Sequence, residues 1–409
     1  MSGKKPVAGG VTSIEDAVAH IARHPPVCGV EYVDLSQALF RVLAEDVIAS
    51  RPVPGHDSSA MDGYAFRRSD LPPDGRLPMS GRAAAGHPFQ GTLPPRTVVR
   101  IFTGGVIPEG ADTVAIQEDC FSEDGVIALP TTLKAGANRR LAGEDVSQGT
   151  TVLTRGTRLR PQDIGIAAAV GRPALLVHRQ IRVAVIATGD ELRPPGRPLP
   201  PGCIYDSNRH TIGAVLRSLG AEVSDHGLVA DQRSLIRDVL SEAASENDLV
   251  ITSGGVSAGE EDHVRPAVQD IGSLNFWKLA IKPGRPVAMG DVAGVPYLGL
   301  PGNPVSAMVT FWLIGRPLIL RLMGATDLSL PRFPVVSTFH HFHRPGRREF
   351  LRARVSAGPA GTMQAEIYPS MSSGMLSSLT WSDGLVEVHE NTRDVEIGDV
   401  LSYLPYSFL

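Results

Sequence analysis

DLVITSGGVSAGEED, residues 248–262, is the stretch that decides the reading of the fold. Leu249, Val250 and Ile251 form a short apolar run suited to a buried strand. Ser253, Gly254 and Gly255 then impose an abrupt loop, Gly259 follows, and Glu260, Glu261 and Asp262 close the segment. A buried parallel strand ending in a glycine-rich loop is where α/β proteins receive anionic ligands, because bare backbone N–H groups can approach a phosphate closely. The carboxylates just beyond can hold a divalent cation or move protons. A plain strand-to-loop turn with a solvated acidic tip has the same local pattern, so the flanking chain must decide.

Working outward, IRVAVIAT at 181–188 reads as a second buried strand. Residues 208–219 read as a helix with Ile212, Val215, Leu216 and Leu219 on one face and Gly220 as its stop. A second amphipathic helix is expected over 235–244. Strand, helix, strand, helix, strand implies a mostly parallel sheet with right-handed crossovers. Asn303 and Pro304 open a long apolar helix as N-cap and first residue. Upstream, Ser13 and Asp16 mark a helix start with Ile14, Ala17, Val18 and Ile21 on one face. Residues 47–145 alternate short β-type runs with Gly and Pro clusters, which predicts a β-rich unit. Pro161 starts a short helix reaching about Val170. Beyond 332–334, short alternating runs at 350–355, 364–368, 385–388 and 400–404 predict a small β-barrel or sandwich.

A chain of 409 residues is too long for one core. Its 43 acids and 39 bases, net −4, argue against a general nucleic-acid binder but leave room for a local basic pocket. Cys28, Cys120 and Cys203 stand far apart without a CxxC pair, which suits a reducing compartment and offers no zinc site. The first residues contain no apolar core of a signal peptide. The longest apolar stretch, 308–322, is interrupted by Gly315, Arg316 and Pro317, so no membrane span is expected. A soluble, cytoplasmic protein is the expectation.

Four loops of the α/β block are candidates for ligand binding: Thr188-Gly189-Asp190-Glu191, Asp206-Ser207-Asn208, the 253–262 loop with Ser257 and Gly259, and Pro301-Gly302-Asn303-Pro304-Val305-Ser306. Each ends a strand or opens a helix, and helix N-termini offer unpaired N–H groups to an anion. Any one could be turn chemistry alone; four in one block point to a shared crevice at the carboxyl ends of the strands. Lys278 and Lys282 in WKLAIKPGRPVAM would share one face of a strand, and Arg285 adds a third cation. Their alternative is a snorkelling surface face. Asp62-Gly63 in SSAMDGYA reads locally as a hairpin turn, and Gly143-Glu144-Asp145 likewise as a turn. His340-His341-Phe342-His343 reads as an exposed or edge-strand group rather than a metal site.

SSAMDGYA, TGGVIPEGADTV, AGEDV, ATGDEL, YDSNR, SGGVSAGEED, AIKPGRP and PGNPVSA occur in this order from residue 58 to residue 307. In that order they resemble the molybdopterin molybdenumtransferases, the molybdenum-insertion enzymes similar to the E domain of gephyrin. The resemblance implies a multidomain α/β plus β fold. A composite domain would comprise 1–50 and 146–178, a β-rich domain 51–145 and an α/β molybdopterin-binding domain 179–326. A small C-terminal β-barrel would comprise 327–409. It implies a homodimer with a shared active site, the β-rich domain of one subunit leaning over the other's cleft. It implies conversion of adenylyl-molybdopterin and molybdate into molybdenum cofactor and AMP, aided by a divalent cation such as Mg²⁺, with an adenylyltransferase as a possible partner. The family's functional acids fall on Asp62, Asp145, Glu191, Asp231 and Asp262, with Glu191 and Asp262 as metal ligands, and its lysines on Lys278 and Lys282. Molybdate would meet Lys282, Arg285 and Ser306, with an arginine among Arg347, Arg348 and Arg352 and a serine near Ser377.

The chemistry suits those residue types. A pyrophosphate needs cations and backbone donors, and cleaving a phosphoanhydride needs a metal and a group to position water. Two departures stand out: KPGRP replaces the usual KPGKP, which changes donor geometry at Arg285, and the 259–262 acidic tip is longer than usual. Other readings are an adenylyltransferase or nucleotide pyrophosphatase on the same α/β domain, a non-catalytic scaffold, and insertion of tungsten. The flanking β domains with Asp62 and Asp145 argue against the first, and the full acid set against the second.

Overall fold

The apolar runs Arg182–Thr188, Leu249–Ser253 and Val295–Leu300 lie side by side as parallel strands at the centre of a seven-stranded sheet. The computed structural model describes residues 11–27, 29–255 and 263–408. The sheet order is Val11–Thr12, Gly272–Leu279, Pro286–Val292, Val295–Leu300, Leu249–Ser253, Arg182–Thr188, Glu222–Val229. Only Pro286–Val292 runs against its neighbours. It turns into Val295–Leu300 through Ala293 and Gly294, both at positive φ (50° and 84°), the backbone that matches a two-residue hairpin to strand twist.

Alternate residues of the central strands feed two different cores. Val183, Val185 and Ile251 pack with Ile212, Leu216 and Val309 on one face. Ala184, Ile186 and Val250 pack with Ile236, Leu240 and Val268 on the other. Burial on both faces is why these strands read as unbroken apolar runs. The helices are Asn208–Ser218, Arg233–Glu246 and Val264–Ile271, plus a long helix from Pro304 to Leu322. The long apolar helix expected from Asn303-Pro304 runs on through Gly315, Arg316 and Pro317. Its middle turn, Phe311–Gly315, widens into π geometry just before Pro317, whose missing N–H and ring would otherwise disrupt the ladder. The helix is long and apolar enough to cross a membrane but 89% buried within the fold, so it is a core helix.

Val30–Asp34 pairs with Ala174–His178, and Val47–Ile48 with Thr151–Leu153, around a core of Leu43, Val47, Val146, Leu159 and Val177. This unit is therefore built from two separated segments. The extreme N-terminal part, expected with it, docks elsewhere. Val11 and Thr12 pair with Lys278 and Leu279, and Ile14, Ala17 and Ile21 join the α/β core beside Ile319 and Leu322. The apolar face of the helix Ile14–Ile21 needs a partner, and the long core helix supplies the larger apolar surface.

The β-rich unit is a six-stranded sheet running from Gly63 to Ala128, entered at Val53 and left at Val146, where Val53 N–H donates to Val146 O at 2.8 Å. At the C-terminus, Phe333–Ser337, Arg348–Ala357, Met363–Ile367, Gly384–Val388 and Val400–Pro405 close into a five-stranded barrel. The strand Ile281–Lys282 of the α/β unit adds to its rim, with Ile281 opposite Arg348 and Lys282 opposite Glu349.

Candidate active site

The carboxyl ends of the central strands open onto a cavity of about 550 Å³ lined by Thr188, Glu191, Asp206, Asn208, Ser253, Gly254, Gly302 and Asn303, among others. Three loops are tied together by one side chain: Asn208 Nδ2 donates to Ser253 Oγ at 2.9 Å and to Gly302 O at 2.7 Å. Asp206, buried, accepts from Arg209 Nε at 2.8 Å and from Arg209 N–H at 3.2 Å, which fixes the start of the helix Asn208–Ser218. The helix that begins at Pro304 opens on the same cavity. Two helix N-termini facing one cavity lined by glycine-rich loops are an arrangement chemically suited to an anion.

Gly254 and Gly255 stand at φ 97° and 64°, and a Cβ on Gly254 would lie 2.6 Å from Thr188 O. Only glycine allows the two strand-ending loops to approach so closely. Thr188 is 4% exposed, and its Oγ1 has no hydrogen-bond partner among the described residues. Gly189, at φ 149°, leaves room for the folded-back Glu191 carboxylate, since a Cβ there would lie 2.6 Å from Glu191 Oε2. Asp190 Oδ1 accepts the Asp231 N–H at 3.1 Å, which brings Asp231 beside this loop. Pro301 is buried directly after its strand, and Ser306 is buried in the first helical turn. Ser257, Gly259 and Asp262 lie outside the described residues.

The basic segment departs from the expected geometry. The strand Gly272–Leu279 ends before Ala280, so Lys278 and Lys282 sit on different strands and the shared-face argument fails. Lys278 is exposed on the strand paired with Val11. Lys282 has crossed to the barrel, where its Nζ lies 2.7 Å from Glu349 Oε1. The Pro283-Gly284 turn packs on the long helix, with Thr310 Oγ1 donating to Gly284 O at 3.2 Å. Arg285 is exposed.

Asp62 is no hairpin turn. It precedes the strand Gly63–Phe66 and its Oδ1 accepts from both N–H and Oγ1 of Thr103 at 2.8 Å. These bonds, the backbone one foremost, hold its carboxyl below the usual range. Asp145 is exposed at the exit of the β-rich unit. The two acids share one end of that unit: Ser58–Ser59 pairs with Arg139–Arg140, and Ala142 N–H donates to Asp57 Oδ1 at 2.8 Å. Within one chain, neither lines the α/β cavity.

Sequence reasoning missed Tyr205, Gly374 and Leu376 in the cavity wall. The last two come from the barrel, and no local signal announces them. Their loop is fastened by Arg352, which is 1% exposed and gives its Nε to Ser378 Oγ at 3.2 Å and its Nη2 to the carbonyl oxygens of Ser370 and Ser372. Ser373 O in turn accepts the Val305 N–H at 3.1 Å. Arg348 is spent on Glu15, Glu387 and Glu390. Arg347 is exposed. The histidine group is not uniformly exposed: His343 is 1% exposed, with its ring nitrogens 2.6 and 2.8 Å from Thr392 O and Arg347 O. Among the described residues, no cluster of three or more His, Cys, Asp or Glu side chains is placed to hold a metal ion.

Three family models match the chain in sequence: the MoeA N-terminal region (domain I and II) over residues 12–171, a probable molybdopterin binding domain over 184–321, and the MoeA C-terminal region (domain IV) over 335–406. The chain is 39% identical over 381 residues to the molybdopterin molybdenumtransferase of Haemophilus influenzae, covering 93% of this chain and 94% of that one. It is 37% identical over 400 residues to molybdopterin molybdenumtransferase 2 of Mycobacterium tuberculosis, covering 95% and 98%. Among solved structures, the molybdopterin biosynthesis MoeA protein from Pyrococcus horikoshii superposes with a TM-score of 0.82 at 27% identity, over 97% of this chain and 100% of that one.

Proposed function

The chain belongs to the molybdopterin molybdenumtransferase family, and from that premise we propose that it is an enzyme of molybdenum cofactor biosynthesis that inserts molybdenum. Its substrates are adenylyl-molybdopterin and molybdate, and its products are molybdenum cofactor and AMP. The observation that carries this reading is the cavity where three strand-ending loops and two helix N-termini converge on a buried Thr188 hydroxyl that has no partner among the described residues. A ligand with a phosphoanhydride and a ring system needs that combination of backbone donors, hydroxyls and volume.

The roles divide by chemistry. Thr188, Ser253, Gly255, Gly302 and Asn303 present donors to the pyrophosphate, while Gly254, whose N–H donates to Leu300 O at 3.1 Å, lets the loops approach closely enough to do so. Asn208 and Asp206 hold the loops in register. Lys282, Arg285 and Ser306 take the molybdate dianion, because oxyanions are best held by cations and short hydroxyl donors. A divalent cation such as Mg²⁺ would be held by Glu191 and Asp262 together with phosphate oxygens. One or two carboxylates suit an ion that keeps most of its shell from water and substrate. When bound, it neutralises charge on the departing AMP phosphate.

Asp62 and Asp145 enter from the β-rich unit of a second copy, which makes the active site a property of a homodimer. That neither lines the cleft of its own chain supports this, as do the exposed apolar side chains of the composite unit, Val30, Tyr32 and Ile48. An adenylyltransferase would stand upstream as the source of the adenylylated substrate. Cys120 and Cys203 are free thiols, in keeping with a reducing, cytoplasmic setting.

The test is AMP release from the purified protein given adenylyl-molybdopterin and Mg²⁺, with and without molybdate, beside Asp62→Asn and Asp262→Asn. The reading requires molybdate-dependent release that both substitutions abolish. Tight binding of substrate without AMP release would overturn it in favour of a scaffolding role.

A further inference from the structure

We propose that Glu349, a carboxylate of the C-terminal barrel, is the positioning residue that holds the Lys282 ammonium where molybdate meets it. This rests on the reading of Lys282 as a molybdate ligand. It adds a residue from another domain that touches no substrate and acts through the lysine.

The lysine reaches solvent and the glutamate does not. The Lys282 side chain is 44% exposed, whereas that of Glu349 is 5% exposed. A lysine ammonium on a four-carbon stem has many rotamers and by itself fixes no direction. Glu349 removes that freedom from below. Its Oε1 lies 2.7 Å from Lys282 Nζ, and its Oε2 lies 2.7 Å from His341 Nε2. With each oxygen claimed by a different partner, the carboxylate cannot rotate. The ammonium keeps two further N–H donors for an oxyanion.

The backbone is fixed as well. Ile281 and Lys282 are in register with Arg348 and Glu349, and Arg348 N–H donates to Ala280 O at 2.8 Å. On the other side, Gly284 is held by Thr310 of the helix whose first residues line the cavity. Burial alone would raise the Glu349 carboxyl, but bonds from His341 and Lys282 outweigh it and bring it down to about 2, so the anchor is ionised at any working pH.

A carboxylate beside an anion-binding lysine is unfavourable by simple Coulomb reasoning, and this gives the test a sign. If Glu349 were only a staple between barrel and α/β unit, Glu349→Gln would lower thermal stability. By removing a negative charge, it would leave molybdate affinity unchanged or tighten it. As a positioning residue, its loss must weaken molybdate binding despite the more positive local field.

Isothermal titration of the full-length protein with molybdate reads this directly, without turnover. The expected result is roughly tenfold weaker binding in Glu349→Gln, the loss that goes with a misplaced charged hydrogen bond. His341→Gln leaves the Lys282–Glu349 pair in place and should weaken binding only about threefold. In a Lys282→Ala background, Glu349→Gln should have no further effect, because the glutamate acts only through the lysine. Unchanged or tighter binding in Glu349→Gln overturns the proposal, as does a loss that persists on top of Lys282→Ala. Molybdate-dependent AMP release by the unsubstituted protein tests the reaction separately. Release with an unmoved Glu349→Gln titration would sink the positioning role alone. A weakened titration without release would sink the reaction alone.

Discussion

Replacing Thr188 by valine should move stability and activity in opposite directions. The Thr188 hydroxyl is buried at the end of its strand with no partner among the described residues, 3.4 Å from a Cβ placed on Gly254 and 3.3 Å from one placed on Gly255. A buried hydroxyl without a hydrogen bond costs roughly 1–3 kcal/mol. Valine keeps the β-branched shape the strand prefers and removes that cost. The ligand-free variant should therefore gain on the order of 1 kcal/mol, a rise in Tm of roughly 2–4 °C for a domain of about 150 residues. If the hydroxyl serves an anionic oxygen of the substrate, its loss should reduce kcat/KM by roughly 10- to 100-fold, the equivalent of one hydrogen bond to a charged group. Scanning calorimetry without ligand and AMP release with adenylyl-molybdopterin measure the two effects. A ligand-free Tm lowered by more than about 2 °C would show that the hydroxyl has a partner inside the protein. An unchanged kcat/KM would show that it has none in the substrate, and either result refutes the reasoning.

Asn208→Ala should do the reverse of Thr188→Val. It cuts two hydrogen bonds that join three loops, costing about 2 kcal/mol and roughly 4–8 °C by calorimetry, with AMP release lost in parallel. A Tm shift within about 1 °C would mean the loops hold their arrangement without it. Gly284 stands at φ 98°, and a Cβ there would lie 2.4 Å from Thr310 Oγ1. Gly284→Ala should therefore cost about 2 kcal/mol of strain and contact. Adding Thr310→Ala should recover only the contact part in a urea titration, and full recovery would argue against backbone strain. Acid should loosen the barrel. Hydrogen bonds from Arg348 foremost bring Glu390 down to about 2, and Glu349 is lowered equally far from its ordinary 4.5 by His341 and Lys282. A folded carboxyl depressed below its unfolded value contributes stability above pH 4.5 and loses it as pH falls towards about 2. Glu349→Gln should flatten that slope, and an equally steep loss in the variant would assign it to other groups.

The α/β block was legible because its strands are buried on both faces, so 182–188 and 249–253 carry no polar alternation to blur them. Its helix boundaries were marked by Gly220 and by Asn303-Pro304. The barrel was legible from its alternating runs, although closure is a pairing of 348–357 with 384–388 that no local pattern reveals. Local pattern also misled at Lys278 and Lys282. An apolar run with lysines four apart reads as one strand, but pairing of Ile281 with Arg348, far along the chain, ends it at Leu279. The docking of the Ile14–Ile21 helix was hidden for a similar reason, since an amphipathic face specifies that it must be covered and not by what. The cavity walls from Gly374 and Leu376 depend on Arg352, whose burial no neighbouring residue announces.

The N-terminal strand and helix close onto partners made about 260 to 300 residues later in synthesis. Val11 pairs with Lys278, and Val27 N–H donates to Leu322 O at 3.0 Å. On a ribosome adding 5–20 residues per second, the apolar face of the first helix would wait roughly 15–60 s for its partner helix to be translated. The sheet between Gly63 and Ala128 needs nothing beyond itself and can form as it emerges. The β-rich unit can therefore assemble before the first helix docks, and the C-terminal barrel, Phe333–Pro405, after the partner of that helix has been made. A nascent protein of this topology carries the apolar face of Ile14, Ala17 and Ile21 uncovered until residues 304–322 have been made.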